Sequence, residues 1–390
     1  MKLRFINYIV PVLLFSIIWG AVEFLVPVRY SEAHISVTLV SILFAISSGL
    51  SLLLDIPAGK LSDRIGRERL ITYSMFIAVV ALSILYFSTS FLSFLIAAIL
   101  IGIAYGLNWS PLLAFVSDQA TTHNQGGVFG GFFMLDAFGE AFAPLLIVAL
   151  VLYTSIAFPF LALAFTALLC ALIFKRLVKP VHKTEPVSRT FSQSLSYSSS
   201  WRLITKSIDK NIFLFALGFF VAFFWQSVWF TQPLIGFYEH SLLDSALIVV
   251  TFSFPAILFS KLLGKLLDRI AEKRVFFYSI ILVIISFILF YFSTSLITKI
   301  SFIFLAAIGV LGIRLVMNVL VVKTYRQDER GEFFGILETI RDASFAITPL
   351  FIGFSYTTVG LNGIFIINAC IALLLLIFGL GLFKKFKTSL

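Results

Sequence analysis

The stretch Gly-Lys-Leu-Ser-Asp-Arg-Ile at residues 59–65 decides how this chain is organised, because a near copy of it recurs later in the sequence. The copy, Gly-Lys-Leu-Leu-Asp-Arg-Ile, occupies residues 264–270, which places it 205 residues further along. Three more identical pairs have the same offset: Gly126 and Gly331, Gly130 and Gly335, and Pro144 and Pro349. Several matches at one fixed spacing indicate an internal duplication.

Each copy follows a long apolar run, and the 390-residue chain is apolar throughout. Apolar residues make up 60% of it and charged residues 12%, with a mean hydropathy of +1.06, whereas soluble chains have roughly 45–50% and about 25%. Since about 20 apolar residues cross a bilayer as a helix, the sequence predicts an all-α membrane protein with twelve transmembrane helices. These spans lie near residues 7–28, 37–58, 70–89, 91–115, 128–152, 156–176, 211–235, 244–263, 275–293, 297–321, 333–355 and 363–383.

The twelve predicted spans divide into two sets of six. We expect an N-terminal six-helix bundle over residues 1–177 and a C-terminal six-helix bundle over residues 210–390. Residues 178–209, rich in Ser, Lys and Arg, are expected to form a cytoplasmic linker between them. Duplicated halves of this kind are typical of transporters, whose binding sites lie between the halves near the middle of the bilayer.

The basic residues predict the orientation, because Lys and Arg accumulate on the cytoplasmic side of a membrane. With the N-terminus inside, 25 of the 29 Lys and Arg residues fall in cytoplasmic segments. We therefore expect a multi-pass protein of the cell membrane with both termini in the cytoplasm. The net charge of +10 is then a topological signal and not a nucleic-acid-binding surface.

Residues 59–69, Gly-Lys-Leu-Ser-Asp-Arg-Ile-Gly-Arg-Glu-Arg, resemble the signature of the loop between helices 2 and 3 in the major facilitator superfamily. The resemblance extends over the whole chain and is greatest to the twelve-helix drug/proton antiporter branch. In the second copy Ala271 and Glu272 replace the equivalents of Gly66 and Arg67, as is usual for that family's C-terminal half. The resemblance implies two pseudo-twofold-related bundles, and we expect a monomer without a cofactor.

The residues of this signature are candidates for a gating motif: Gly59, Asp63, Arg64, Gly66 and Arg67, with Gly264, Asp268 and Arg269 in the second copy. A carboxylate can accept hydrogen bonds from the free N–H groups at a helix N-terminus, where the helix dipole favours an anion. The resemblance suggests that Asp63 finds this partner near residues 331–334 when the cytoplasmic side is closed. Alternatively, the arginines only retain the loop in the cytoplasm.

The fifth predicted span contains Gly130, Gly139 and then Ala143-Pro144. This arrangement resembles the helix 5 signature of drug/proton exchangers, in which a Gly-Pro pair kinks the helix and small residues allow close packing. Ala143 replaces the second glycine of that signature, so a bend that serves only packing is an equal alternative.

Ionisable residues inside the predicted spans are the strongest candidates for a proton or substrate pathway: Glu23, Asp136, Glu140, Arg314, Glu338, Arg341 and Asp342. A charge at the bilayer centre costs roughly 2.5–3.5 kcal/mol, so each needs a partner, water or a function. One interpretation is a structural ion-pair network in which Arg314 joins the tenth span to the eleventh. The other is a substrate or proton site, and for Asp55, near the aqueous face, a structural role is favoured.

Spacing favours two of these acids as proton carriers. Asp136 and Glu140 are four residues apart on one helix face, and two neighbouring carboxylates repel each other when both are ionised. One of them therefore keeps a proton more readily, which favours Glu140, together with Glu23 on the first span. Softer candidates, which line a binding cavity or else only pack, are Asn108, Trp109, Trp225, Gln226, Trp229, Gln232 and Asn318.

These features favour a secondary active transporter that works by alternating access. The leading hypothesis is proton-coupled efflux of small amphipathic or drug-like compounds, and the alternative is uptake or facilitated transport of a small solute such as a sugar or an organic acid. Neither Gly-Lys pair has the spacing of a nucleotide-binding loop, and two cysteines cannot build a metal site. No reactive constellation of an intramembrane enzyme is present. A membrane sensor that does not transport is a remote alternative.

Overall fold

The structure is a computed structural model that describes residues 2–118, 125–177, 208–267 and 270–386, and these residues are almost entirely helical. The helices, in chain order, are α1 Lys2–Glu32, α2 Val37–Ile65, α3 Arg67–Phe87, α4 Phe91–Gly106, α5 Trp109–Asp118, α6 Gln125–Tyr153, α7 Phe158–Leu177, α8 Ile208–Tyr238, α9 Leu242–Leu267, α10 Glu272–Phe292, α11 Leu296–Thr324 and α12 Gln327–Phe386. The predicted linker, Asp268 and Arg269 lie outside the described residues, apart from Ile208 and Asp209 at the start of α8.

Within the described residues, eleven helical stretches are long and apolar enough to cross a membrane. This confirms the prediction of an all-α membrane protein. α4 and α5 together form one of these stretches, Phe91–Ser117, and α12 contains another of 50 residues, Phe333–Leu382. A helix of that length extends about 75 Å, more than twice the hydrocarbon thickness of about 30 Å. α12 is interrupted at Gly360, whose φ of 70° and ψ of 175° are not helical.

The turn between α2 and α3 depends on a glycine of the repeated motif. Gly66 has a φ of +98°, a backbone conformation that a side chain disfavours. Its N–H donates a hydrogen bond of 3.0 Å to the Ser62 carbonyl and closes α2, and α3 begins at the next residue. The glycine therefore fixes a one-residue connection between two long helices.

A second identical repeat marks the corresponding turns of the duplication. Tyr-Phe-Ser-Thr-Ser occurs at residues 86–90 and again at residues 291–295. In both places the last serine caps a helix, because Ser90 accepts from the Ser93 N–H of α4 and Ser295 accepts from the Thr298 N–H of α11. Such caps satisfy an N–H group that has no partner inside the helix. Equivalent helices of the two copies, α4 and α11, therefore begin with the same serine cap.

The helix packing repeats as well. α1 packs against α6, as α8 packs against α12, and α2 packs against α12, as α9 packs against α6. α1 and α8 contact each other and are the most enclosed helices, with nearly every residue buried over 18–28 and 222–236. Glu23 on α1, between these buried residues, therefore lies inside the bundle and not on its outer surface.

Candidate functional site

A narrow cleft opens between helices from both sides of the linker. We call it the central cleft, and its polar and aromatic lining comes from α1, α2, α4 and α12: Trp19, Glu23, Phe44, Ser47, Ser48, Ser51, Tyr105, Asp342 and Phe345. It offers about 60 Å³ to water-sized molecules, less than the roughly 300–1,000 Å³ of a drug-sized site. In this conformation it therefore admits water or a small ion, and a larger solute requires movement of the helices.

Glu23 contributes a carboxyl group to the central cleft. It lies on α1 between buried residues, and its Oε2 atom is buried without a hydrogen-bond partner among the described residues. An unpaired buried carboxylate is costly, so this group needs a proton, water or a cation. The structure thus places one of the two predicted proton carriers in the central cleft.

Aromatic rings surround this carboxyl. Trp19 and Tyr105 meet edge to face with their ring centroids 4.9 Å apart, and both line the central cleft. Trp109, a predicted cavity residue, stacks behind them at 6.1 Å from Tyr105 and 6.2 Å from Phe15. Aromatic faces next to a carboxylate suit the apolar body and positive charge of an organic cation.

Asp136 and Glu140 lie on α6 where it packs closely on α1. The Ser16 hydroxyl of α1 donates a 2.6 Å hydrogen bond to the Asp136 Oδ1 atom. Gly139 allows this approach, because a Cβ atom there would lie 2.8 Å from the Ser16 Cβ. The fifth-span glycine identified from the sequence therefore has a packing role, and Asp136 has a neutral partner.

Arg341 pairs with its neighbours on α12. Its guanidinium lies 2.7 Å from the Glu338 carboxylate and 3.3 Å from that of Asp342, and it lies over the Phe345 ring at 5.6 Å. The spacing of Glu338 and Arg341 predicts their pairing, and the structure has this contact. Only Asp342 and Phe345 of this group line the central cleft.

Arg314 on α11 does not join this network. One of the two interpretations of the sequence has it bridge α11 and α12, but it makes no ion pair or hydrogen bond within the described part of the chain. Its side chain is exposed, and it lies within electrostatic range of Glu140 and Glu338. That bridge is therefore absent from the described residues in this conformation, in which Glu338 and Asp342 pair with Arg341.

Asp55, for which the sequence favours a structural role, is half-buried on α2. Its Oδ1 atom is buried without a hydrogen-bond partner among the described residues, and the residue lies within electrostatic range of Asp342 on α12. α2 and α12 meet directly nearer the start of α2, where the Thr38 hydroxyl donates a 2.9 Å hydrogen bond to the Gly353 carbonyl. The structural role of Asp55 stays a prediction.

The predicted cavity residues of α8 lie elsewhere. Trp225 and Trp229 stack with centroids 6.1 Å apart, and Trp229 packs against Phe24 of α1 and Val148 of α6. Gln226 and Gln232 are buried, and each has side-chain atoms without a hydrogen-bond partner among the described residues. None of these four lines the central cleft in this conformation.

Two predicted amides differ in their surroundings. The Asn108 amide donates a 2.7 Å hydrogen bond to the Ser74 hydroxyl of α3, which joins the turn between α4 and α5 to a neighbouring helix. This contact favours packing over binding for Asn108. Asn318 on α11 is half-buried and does not line the central cleft.

The candidate gating motif lies at the end of α2 and the start of α3. Asp63 and Arg67 form a 3.4 Å ion pair, and Arg67 also donates to the Ala114 carbonyl of α5. Arg64 makes contacts of its own, and Gly59 and Gly264 lie within α2 and α9. The expected partner of Asp63 at the start of α12 stays a prediction, since the side chains of residues 327–332 lie outside the description.

Comparison with known proteins agrees with this architecture. The sequence profile of the Major Facilitator Superfamily matches residues 8–246 and again residues 214–388. A 106-residue segment is 29% identical to the MFS-type transporter ppzB of Metarhizium rileyi, a match that covers 27% of this chain and 22% of that protein.

Solved transporter structures share the fold at low sequence identity. The nucleoside transporter NupG superimposes with a TM-score of 0.79 at 14% identity, covering 98% of this chain and 100% of that chain. A bacterial homologue of the human lysosomal transporter Spinster, inward-facing and unoccupied, gives 0.82 at 14% identity, covering 98% and 97%. A POT family transporter in complex with 5-aminolevulinic acid gives 0.76 at 14% identity, covering 97% and 95%. The chain is a multi-pass membrane protein and belongs to the Major Facilitator Superfamily, a family of transporters and not of enzymes.

Proposed function

We propose that this protein is a proton-coupled exporter of small amphipathic compounds that works by alternating access, as in the drug/proton antiporter branch of its family. The observation that carries the proposal is the central cleft, where the unpaired Glu23 carboxyl and the rings of Trp19 and Tyr105 face Asp342 and Phe345 of α12. Because the cleft lies between helices from both sides of the linker, a relative motion of the two sides changes its size and access.

The proposed architecture has twelve membrane crossings in two six-helix bundles, residues 1–177 and 210–390, around residues 178–209. The repeated helix contacts and the repeated caps support it. The length of α12 and its break at Gly360 support two crossings within that helix. The distribution of Lys and Arg supports cytoplasmic termini in the cell membrane, and we propose a monomer.

Proton coupling is supported by an excess of carboxyl groups. Away from the helix ends, two guanidinium groups, those of Arg314 and Arg341, stand against six carboxyl groups, those of Glu23, Asp55, Asp136, Glu140, Glu338 and Asp342. Glu338 is exposed, but the others are buried or half-buried, and ionised carboxylates without a partner are unfavourable there. Some of these acids therefore hold protons, and binding of a cation displaces them.

The same carboxyls support a positively charged substrate. A cation that enters the central cleft meets Glu23 and Asp342, while its apolar part contacts Trp19, Phe44 and Tyr105. Aromatic faces attract cations by about 0.5–2 kcal/mol, and carboxylates add a direct charge interaction. We infer in addition that Asp63 controls cytoplasmic closure through the motif at the ends of α2 and α3.

Arg314 supports a second candidate, transport of a small anionic solute. It is exposed, it lies at the membrane-spanning depth of α11 and it forms no ion pair in the described residues. A guanidinium in that state is a ready partner for a carboxylate or phosphate group. Two acids lie within electrostatic range of it, and they oppose an anion.

Flux in proteoliposomes distinguishes these functions. With an imposed proton gradient, we expect the wild-type protein to move the cation tetraphenylphosphonium against its own gradient and to leave benzoate unmoved. Glu23→Gln should lower the gradient-driven flux by about tenfold or more, which corresponds to roughly 1.4 kcal/mol in the transport barrier. The reason is that an amide cannot exchange a proton.

A matched control removes an acid outside the central cleft. Glu32 pairs with Arg29 at 2.6 Å near the end of α1, and Glu32→Gln should transport as the wild type does. Flux that ignores the proton gradient for every transported compound contradicts the proposal. Gradient-independent benzoate flux that Arg314→Gln abolishes would instead establish the second candidate.

A further inference from the structure

Trp19 on α1 lines the central cleft and carries an indole N–H group without a partner. Only 7% of the residue is exposed, and its Nε1 atom is buried without a hydrogen-bond partner among the described residues. An indole nitrogen only donates hydrogen bonds, buried tryptophans usually have an acceptor, and a buried donor without one is costly. A molecule that brings an oxygen acceptor into the widened cleft removes this cost.

Glu23 lies one helical turn after Trp19 and has the opposite kind of polar group. Residues four apart share one helix face with their Cβ atoms about 5–6 Å apart, and both of these residues line the central cleft. The Glu23 Oε2 atom is also buried without a partner among the described residues, and a carboxylate only accepts hydrogen bonds. One molecule satisfies both side chains if it has an acceptor for Trp19 and, close to it, a protonated amine for Glu23.

Two serine hydroxyls of the central cleft are already engaged as donors. The Ser47 hydroxyl donates to the Leu43 carbonyl and the Ser48 hydroxyl to the Phe44 carbonyl, each at 3.3 Å within α2. An acceptor that binds to either hydroxyl must displace such a bond, whereas the Trp19 N–H has none to lose. Trp19 is therefore the better donor to a bound molecule.

Neighbouring rings hold the Trp19 side chain in place. Its ring meets the Tyr105 ring edge to face at 4.9 Å and the Phe15 ring at 6.0 Å with an angle of 64° between the planes. Such aromatic pairs have preferred geometries, so the position of the indole is set before a molecule binds. A donor that is held in advance loses little conformational entropy on binding.

We propose that Trp19 determines substrate specificity, by selecting protonated amines that carry an oxygen acceptor two carbon atoms away from the nitrogen, as in an aromatic amino alcohol. Glu23 binds the ammonium group, the Trp19 N–H donates to the oxygen, and the rings of Phe44 and Tyr105 contact the apolar part. The inference rests on the cation transport proposed above and adds a class of substrate to it.

The experiment compares two ligands that differ by one hydroxyl group. Purified protein in detergent binds radiolabelled tetraphenylphosphonium, which is displaced with either 2-amino-1-phenylethanol or 2-phenylethylamine. Both amines are protonated at neutral pH, and only the first has an oxygen acceptor. We expect the wild-type protein to bind the amino alcohol about threefold to tenfold more tightly, which is the net effect of one hydrogen bond.

Variants then assign this preference to one side chain. Trp19→Phe keeps an aromatic ring and removes the N–H group, so it should bind both amines equally. Glu23→Gln should weaken both and keep their ratio. Trp229→Phe is the matched control, because the Trp229 Nε1 atom is also buried without a partner in the described residues but the residue does not line the central cleft. It should keep the preference of the wild type.

A third ligand tests the wild-type protein alone, so the inference stays testable if Trp19→Phe fails to fold. The methyl ether of the amino alcohol, 2-methoxy-2-phenylethylamine, accepts a hydrogen bond but does not donate one through its oxygen. It should therefore also bind more tightly than 2-phenylethylamine.

Equal affinities of 2-phenylethylamine and the amino alcohol for the wild type would overturn the inference, and so would a preference that persists in Trp19→Phe. Loss of the preference in the methyl ether would overturn it as well, because the hydroxyl then acts as a donor. If neither amine displaces tetraphenylphosphonium, the proposed cation site fails and the inference fails with it. Flux that ignores a proton gradient while the preference is intact removes only the proton coupling.

Discussion

Arg341 is the residue on which the charge balance of α12 depends. Its guanidinium pairs with the carboxylate of Asp342, which is mostly buried, and with that of Glu338, which is about half exposed. Removal of one partner from a buried ion pair costs roughly 3–5 kcal/mol, and partial exposure reduces that figure. Loss of Arg341 therefore destabilises the protein mainly through Asp342, whose mostly buried carboxylate loses its cation.

We predict that Arg341→Gln lowers the thermal stability of the purified protein, by about 1–3 kcal/mol after allowance for solvent exposure. The added substitution Asp342→Asn should restore much of that loss, because it removes the carboxylate that has lost its cation. A double-mutant cycle of unfolding temperatures measures this coupling. Strictly additive effects of the two substitutions would show that the ion pair does not act as a unit.

The ion pair between Glu338 and Arg341 also indicates which contacts a sequence can predict. Glu338 and Arg341 are three apart on one helix, so their pairing follows from helix geometry alone. The hydrogen bond from the Thr38 hydroxyl of α2 to the Gly353 carbonyl of α12 joins positions 315 residues apart, and it depends on the rotation of the two helices about their axes. Hydropathy does not determine such rotations, which is why the sequence also allows a bridge from Arg314 to α12 that the described residues do not contain.

Close packing of α1 on α6 is the main feature at the scale of helices. Gly139 brings the two backbones together, and the Ser16 hydroxyl reaches Asp136 as a result. The sequence indicated a glycine-rich fifth span, but it did not identify α1 as the partner helix, since packing partners depend on the tertiary arrangement.

We predict that Gly139→Ala destabilises the protein, because the new methyl group overlaps the Ser16 side chain and displaces its hydrogen bond to Asp136. Gly49→Ala is the matched control, as a Cβ at Gly49 in α2 meets no atom within 4 Å. Alanine favours a helix over glycine by about 1 kcal/mol, so the control should be neutral or stabilised. Equal unfolding temperatures for both variants would argue against a tight contact between α1 and α6.

At the scale of the whole molecule, the duplication is the feature that the sequence predicts best. Identical residues at one offset predict it, and the repeated serine caps and helix contacts of the structure agree with it. The central cleft was not predictable in the same way, because it gathers residues from α1, α2, α4 and α12. Of the softer cavity candidates, those on α8 pack between α1, α6 and α9 instead.

The central cleft brings two kinds of group together. Glu23 contributes an unpaired carboxyl and Asp342 a carboxyl that pairs with Arg341, and both line the cleft together with the rings of Trp19 and Tyr105. A cation that approaches these acids makes their ionised forms more favourable. In the proposed mechanism, substrate binding therefore releases protons.

Proton release on binding is the most direct test of this account. Purified protein in weakly buffered detergent solution is titrated with tetraphenylphosphonium while a pH indicator records the protons released. We predict that saturation with the cation releases protons from the wild-type protein and fewer from Glu23→Gln. Saturable binding of the cation without proton release at any pH would contradict the central claim that substrate and protons compete for the same acids.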